Sequence, residues 1–401
     1  MDILAEALKI QGELVCHRRY LHKNAEVGFD LYKTAEYITE VLTKEGCKPV
    51  RIGKGGIYCV IGKGAGECVL IRGDVDGLPI LEKTNLPFKS EKGNMHACGH
   101  DMHASMLLGC AKILKNHEDE LRCPVKLVFQ GGEEQLLGAC DLIENGILEN
   151  PRVISAGMLH VMTGSNFDTG TVILPKSGEV SPYADVFEIT VYGKGTHGAM
   201  ACLGIDTGSV LCHISLAIES IIAKELGLNQ RGAITVGAIE CGKTHNVLSD
   251  TGCLKGSLRS YSGELQKKLK RRITEVSTGI SGAFNARAEV KFLGNAPPLF
   301  NNASLVESSK NVFCELLGEK RVIFGGEEKS TGSEDFAHIS QRVPSLMVAL
   351  CAGRADEGFF HPLHNPETDF DEKALPYGTA LYTAMAQKIL PTLNNSDREN
   401  K

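Results

Sequence analysis

The sequence predicts a mixed α/β protein, a largely parallel sheet flanked by helices, interrupted by an inserted ferredoxin-like α+β domain. Three observations predict it. Between residues 57 and 161 short apolar runs alternate with helical periods, the pattern of parallel strands joined by crossover helices. Near residue 180 the order becomes strand–helix–strand–strand–helix–strand, the split βαβ unit. The chain then returns to a helix and a buried-looking strand, which marks the middle segment as an insertion. Residues 1–179 and 294–393 are therefore expected to form the larger domain and 180–293 the smaller one, with a polar, disordered tail at 394–401.

The elements follow in order. Leu4, Leu8 and Val15 fit one apolar stripe; Ala35, Ile38 and Leu42 fit a second, stopped by Gly46. Two helices are expected there. Strands are expected at 57–62 and 68–73, the second running into RGDVDGLP. Met106, Leu107, Cys110, Ile113 and Leu114 repeat at helical spacing after the segment HACGHD. VKLVFQ (125–130) reads as a strand followed by GGEE, then a helix over 136–144, then a strand over 152–161. In the insert, strands are expected at ADVFEITVYG, GAITVGAIECG, GCLKGSLRSY and ARAEVKF, with helices over 206–226 and in ELQKKLKRRITEVSTGI. A helix over 304–317 and a strand over 345–353 complete the pattern.

Composition narrows the function classes. The 401 residues carry a net charge of −6, which gives no reason to expect nucleic acid or an anionic membrane as a partner. The longest apolar runs look too short to span a bilayer. The first 23 residues mix acids with apolar residues and do not read as a secretion signal. Fourteen cysteines are scattered singly, and Cys59, Cys68, Cys110, Cys212 and Cys351 sit in apolar segments as small hydrophobes. A reducing, cytoplasmic setting is expected.

Cys98 is the exception, because of its neighbours. A thiolate and an imidazole two residues apart, Cys98 and His100 at a helix entrance, suit a divalent transition metal or a Cys–His nucleophile pair. Glu133 and Glu134 lie just beyond a strand, at the edge where α/β sheets place their sites. Two-metal hydrolysis needs one carboxylate on the metal and another that handles the proton of water. His160 and His364 fall near comparable strand ends. Cys98, His100, Glu134, His160 and His364 make five protein donors, which suits a two-metal centre better than a closed four-ligand zinc.

RRYLHKNAEVGFDLYKTAEYITEVL, RGDVDGLPILE, MHACGHDMHASMLLGCAKIL, VKLVFQGGEEQLLGA, GKGTHGA, GSEDF and LHNP resemble the N-acyl-amino-acid amidohydrolases. These are the hippurate hydrolase, aminoacylase and auxin-conjugate hydrolase branch of the aminoacylase–glutamate carboxypeptidase family. The resemblance spans about residues 13 to 390. It implies a zinc-exopeptidase-like catalytic domain and two divalent ions per subunit, zinc or manganese, cobalt or nickel. Cys98, His100, Glu134, His160 and His364 fall on its metal ligands and Glu133 on its general base. Asp74, Asp76 and Asp101 are expected to orient the ligands rather than bind metal. His197 matches a histidine that reaches the oxyanion from the other subunit of a homodimer formed through the inserted domain. Asn246 and Arg259 match positions for the scissile carbonyl and the substrate carboxylate. The implied substrate is a small N-acyl amino acid or a dipeptide.

Three departures stand out. The family usually has Pro-Ala where this chain has Gly131-Gly132, a Pro-His pair where Ala201-Cys202 stand, and proline at Thr207. Rival readings are a dipeptidase or carboxypeptidase of the same frame, a Cys–His hydrolase, and a non-catalytic metal- or ligand-binding relic.

Overall fold

The computed structural model describes residues 1–64, 66–326 and 330–393. The chain begins with α1 (Ile3–Lys9), α2 (Gln11–Lys23), α3 (Tyr32–Lys44), β1 (Val50–Ile52), β2 (Gly56–Ile61) and β3 (Glu67–Asp74). Next come α4 (His100–Asn116), β4 (Val125–Gln130), α5 (Gly138–Glu144), β5 (Arg152–Met162), β6 (Val172–Leu174) and β7 (Gly178–Glu179). The middle holds β8 (Tyr183–Tyr192), β9 (Thr196–His197), α6 (Thr207–Glu225), β10 (Gly232–Cys241), β11 (Val247–Leu248), β12 (Thr251–Ser260), α7 (Gly263–Ala283) and β13 (Arg287–Ala296). The chain closes with β14 (Phe300–Asn301), α8 (Ala303–Leu317), β15 (Val322–Phe324), α9 (Ala337–Ser340), β16 (Ser345–Cys351) and α10 (Ala374–Ala384).

Two compact units result. The first comprises Met1–Val180 and the described parts of Leu299–Lys329 and Asp335–Lys401; the second comprises Ser181–Pro298 and Ser330–Glu334. The tail at 394–401 lies outside the described residues.

The first unit is built on an eight-stranded sheet ordered β1-β2-β4-β3-β5-β16-β6-β15. Its centre, β4-β3-β5-β16, is parallel throughout, so four strand ends meet at one edge. The strands read as apolar runs because both faces are covered. Val69 and Ile71 join Leu14, Met106 and Leu107 in one core, while Cys68 and Leu70 join Ala139, Leu142 and Phe336 in the other.

The N-terminal stripe corrects one expectation. Leu4, Leu8 and Val15 do not lie on one helix. The chain leaves helical geometry at Ile10 (φ −99°, ψ 11°), separating α1 from α2, and Leu8 is 47% exposed. The buried set is instead Ile3 and Ala7, then Leu14, His17, Arg18, Leu21 and His22. Among the cysteines, Cys59, Cys68, Cys110 and Cys351 are buried as expected, but Cys212 is exposed on α6, and all fourteen are free thiols.

The second unit has a four-stranded antiparallel sheet ordered β10-β12-β8-β13, with α6 and α7 supplying its core. This is the split βαβ arrangement. α6 falls within the helix expected over 206–226 but is more apolar than the sequence reading allowed; by length and composition alone it could cross a bilayer. Here Val210, Leu211, Ile214, Ile218 and Ile221 are buried with Phe187, Ile189 and Leu254 in the sheet core.

Gly138 follows the GGEE turn closely. A Cβ there would lie 2.1 Å from the Gly131 carbonyl oxygen and 2.7 Å from Gln130 Nε2. The Gly138→Ala variant should therefore lose about 1–3 kcal/mol through overpacking. Urea unfolding would register this as a lower midpoint at constant slope, and an unchanged midpoint would contradict so close an approach.

Candidate metal centre

The parallel sheet edge collects the candidate donors. β3 ends at Asp74 and leads to Asp76; β4 ends at Gln130 and leads to Glu133 and Glu134; His160 lies near the end of β5. His364 lies on the chain after β16, and its N–H donates to the Ala97 carbonyl at 3.0 Å, which ties it to the Cys98 segment. Gly99 permits the turn between Cys98 and His100. Its φ is +84°, and a Cβ would meet Val161 Cγ2 at 2.4 Å. An L residue there would be strained and would clash.

The donor atoms converge. Candidate ligand atoms of Cys98, His100 and His160 all lie within 4.8 Å of one another, as do those of Cys98, Glu134 and His364, and those of His100, Glu133 and Glu134. Cys98 Sγ is 3.5 Å from His160 Nε2, and His364 Nε2 is 3.5 Å from Glu134 Oε1. The structure thus brings together all five sequence-predicted donors and the predicted base.

Two imidazoles have their tautomers set by hydrogen bonds. His100 Nδ1 donates to the Asp76 carbonyl at 2.8 Å, and His160 Nδ1 to the Val161 carbonyl at 2.7 Å. Each leaves Nε2 with its lone pair for a cation. His100 Nε2 and Glu134 Oε1 are buried and lack hydrogen-bond partners. Buried polar atoms without partners are costly, and a bound cation would satisfy both. The donor set therefore fits divalent metal.

The electrostatics agree. Burial lifts Glu134 to about 7 and lowers His160 to about 3. Burial, aided by Glu134, also pushes the Cys98 thiol far up. A cation supplies what keeps a thiolate and a carboxylate ionised at such depth.

Asp76 is the main organiser. Its carboxylate accepts the backbone N–H of Glu133 and of Glu134, each at 3.2 Å, while its carbonyl holds His100. Asp74 does different work. It accepts from His103 Nδ1 at 2.5 Å and from Arg72 Nη1 at 2.5 Å, and lies 3.7 Å from His100 Nε2. His103 Nε2 in turn accepts the Val161 N–H at 2.9 Å. Both nitrogens of His103 are thus engaged, so it is a support and not a ligand, although its position beside Asp74 and His100 would admit one.

Asp101 belongs to a separate buried cluster. Its Oδ2 accepts from His22 Nδ1 at 2.9 Å and Arg18 Nε at 3.3 Å; His22 Nε2 lies 3.2 Å from both Glu82 oxygens. Sequence reasoning missed Arg18, His22, Arg72, Glu82, Gln130 and Asp335. One signal was present, an arginine inside the apolar run CVLIRG, where a charge requires buried partners.

His197, Asn246 and Arg259 lie in the second unit. β9 pairs with β11, and the Gly198 N–H donates to the Asn246 carbonyl at 2.7 Å, so His197 and Asn246 share one ribbon. Both are exposed, and Arg259 on β12 donates to Ser257 Oγ at 3.2 Å. Ala201 and Cys202 are exposed in the turn after His197. Thr207 is fully buried at the start of α6 and donates to the Ser249 carbonyl at 3.0 Å, a bond no proline could make.

Comparison with known proteins gives a consistent result. Residues 70–388 match peptidase family M20/M25/M40. The chain is 34% identical to the IAA-amino acid hydrolase ILR1-like 2 of Arabidopsis thaliana, over 96% of this chain and 87% of that protein. It is 31% identical to the N-acetyl-L-cysteine deacetylase of Bacillus subtilis (strain 168), covering 98% and 91%. A solved structure of a dinuclear metal-binding M20 peptidase from Bacillus subtilis matches with a TM-score of 0.72 at 27% identity, covering 96% and 99%.

Two predictions follow from this geometry. Cys98→Ala should bind less metal than the parent protein after reconstitution, by elemental analysis; equal stoichiometry would remove Cys98 from the ligand set. The second concerns His22. Burial lowers its pKa, but the bonds to Asp101 and Glu82 outweigh this and raise it from 6.5 to about 9. The resulting stabilisation is complete below about pH 6.5 and is lost as pH rises through about 9, on the order of 3 kcal/mol. Urea unfolding should show stability falling over that window in the parent protein and a flatter profile in His22→Gln. Parallel profiles would count against a charged His22.

Proposed function

The chain belongs to peptidase family M20/M25/M40, and from that premise we propose that it hydrolyses the amide bond of small N-acyl amino acids, releasing a carboxylic acid and a free amino acid. One observation carries the reading. Glu133 and Glu134 are adjacent, their N–H groups are held by the same carboxylate, and Glu134 is grouped with Cys98 and His364. Metal binding alone accounts for Glu134. A second glutamate, 6% exposed beside it, suits the proton-handling group of a hydrolase.

Cys98, His100, Glu134, His160 and His364 would hold two divalent ions, zinc or manganese, cobalt or nickel. When bound, these polarise the amide carbonyl and acidify water. Glu133 takes the proton of the attacking water and returns it to the leaving nitrogen as the C–N bond breaks. To His197, Asn246 and Arg259 the proposal assigns the oxyanion, the scissile carbonyl and the substrate carboxylate; an arginine offers the paired donors a carboxylate accepts. Dimerisation through the inserted domain and a cytoplasmic setting complete the proposal. A Cys98–His100 nucleophile pair is less well supported, because burial drives the thiol up, against a thiolate, and the His100 Nδ1 proton is already given to the Asp76 carbonyl.

The test is a panel of N-acetyl- and N-benzoyl-amino acids and dipeptides, given to the metal-reconstituted protein. Turnover of the acyl amino acids, loss in chelator and rescue by metal are expected. Cleavage of dipeptides alone would replace the reading with a dipeptidase, and chelator-resistant, alkylation-sensitive turnover with a thiol hydrolase. Glu133→Gln should keep its metal and lose roughly 10²-fold or more in rate. Near-parental turnover in that variant would take the base role from Glu133.

A further inference from the structure

Asp335, in the segment GSEDF, has no role in the chemistry so far. It is fully buried just ahead of α9. Its carboxylate gathers donors from three elements. Oδ1 accepts from Arg72 Nη2 at 2.9 Å and from Gln130 Nε2 at 2.7 Å. Oδ2 accepts from the same Gln130 nitrogen at 3.0 Å and from the Ala139 N–H at 2.8 Å. Gln130 stands immediately before the GGEE turn and Ala139 shortly after it, so one carboxylate ties both ends of the turn that carries Glu133. The backbone N–H of Asp335 donates to Glu133 Oε1 at 3.4 Å, a long bond but one aimed at the reacting side chain.

The connection continues through the sheet. Arg72 bridges Asp335 to Asp74, Asp74 holds His103, and His103 receives the N–H of Val161, next to His160. Arg72, Asp74, Gln130, His103 and Asp335 are all fully buried. Buried charges this deep persist only when paired and hydrogen-bonded, and such a network has little freedom to rearrange. It runs without a break from Glu133 to the backbone beside a candidate ligand.

We propose that Asp335 is a positioning residue for the general base: its carboxylate fixes the ends of the Glu133 turn while its N–H anchors Glu133 Oε1, in register with the histidines through Arg72 and Asp74. This rests on the assignment of Glu133 as the base. A misplaced base slows proton return to the leaving nitrogen. It therefore costs most when the departing amine is strongly basic, because such an amine leaves only once protonated. An aniline leaves with less assistance.

The experiment uses the metal-reconstituted protein and two matched amides, one with an amino-acid leaving group and one with an aminobenzoate. Asp335→Asn keeps the shape and the backbone N–H but replaces an acceptor-only carboxylate with an amide that has one acceptor oxygen. The expected result is a fall in kcat of about 10-fold or more on the amino-acid amide, with KM within about twofold. The loss on the aminobenzoate should be smaller, and metal content should equal that of the parent. Gln130→Met removes both bonds to Asp335, and the one Gln130 Oε1 accepts from Arg72 Nε at 3.1 Å, while keeping side-chain length, and should show the same pattern in weaker form; it carries the test if Asp335→Asn does not fold. Metal loss in proportion to the fall in rate, or equal losses on the two amides, would overturn the proposal and leave Asp335 a structural residue. The parent protein is assayed first. If it cleaves no amide, the functional reading fails and this inference with it; if the parent is active and both variants match it, only this inference fails.

Discussion

A single buried side chain, Asp76, sets the geometry on which the site depends. It leaves the end of β3 and reaches across to the chain beyond β4, where its two oxygens take the N–H groups of Glu133 and Glu134. Its own carbonyl takes the Nδ1 proton of His100. One residue thus fixes Glu133, the proposed base, and two candidate donors, Glu134 and His100, relative to each other. It can do so because β3 and β4 are parallel neighbours with Asp74 opposite Gln130, so their outgoing chains start level. An antiparallel pair would have sent the two chains to opposite edges. The parallel centre of the sheet is therefore a condition of the chemistry as well as of the fold.

Around that grip the site divides its polar groups by task. His100 and His160 spend Nδ1 on carbonyls and keep Nε2 for a ligand. His103 spends both nitrogens on the protein. These three rings lie close together, with His103 and His160 centroids 4.7 Å apart, yet their hydrogen bonds give them different roles. Burial makes the division strict. A group that has already given its protons and lone pairs to fixed partners in a dry interior cannot easily be recruited for another purpose. Among the buried atoms without hydrogen-bond partners, His100 Nε2 and Glu134 Oε1 are then the ones a cation here would complete.

Much of this was legible in the sequence, for a physical reason. Strands buried on both faces announce themselves as apolar runs, and in a parallel sheet their ends share an edge, so Cys98, His100, Glu134, His160 and His364 could be assigned to one place. What could not be read was the support. Arg72 and Asp335 are separated by 263 positions and His22 and Asp101 by 79, and no local pattern links such pairs. The motif GSEDF was visible, but its aspartate acquires a meaning only from the donors that surround it. The break at Ile10 was hidden for a related reason. Apolar residues continue through it, and only the packed structure tells which of them turn inward.

The adjacent glycines Gly131 and Gly132 raise the question of how so free a backbone can hold the turn that carries Glu133 still. Glycine widens backbone choice, so the constraint must come from outside the pair. Leu31, 3% exposed, supplies part of it: a Cβ on Gly131 would sit 2.3 Å from Leu31 Cδ1. Phe29 supplies the rest, since a Cβ on Gly132 would sit 2.6 Å from its ring, and Gly132 has a φ of +77° that an alanine would adopt only under strain. The segment GFDL thus fills the volume that larger residues at 131 and 132 would need. Contact with two neighbouring side chains confines the glycine pair, and the turn is then gripped by Asp76 at Glu133 and Glu134 and by Asp335 at Gln130 and Ala139. A side chain at 131 or 132 would therefore meet Leu31 or Phe29 unless that segment moved as well.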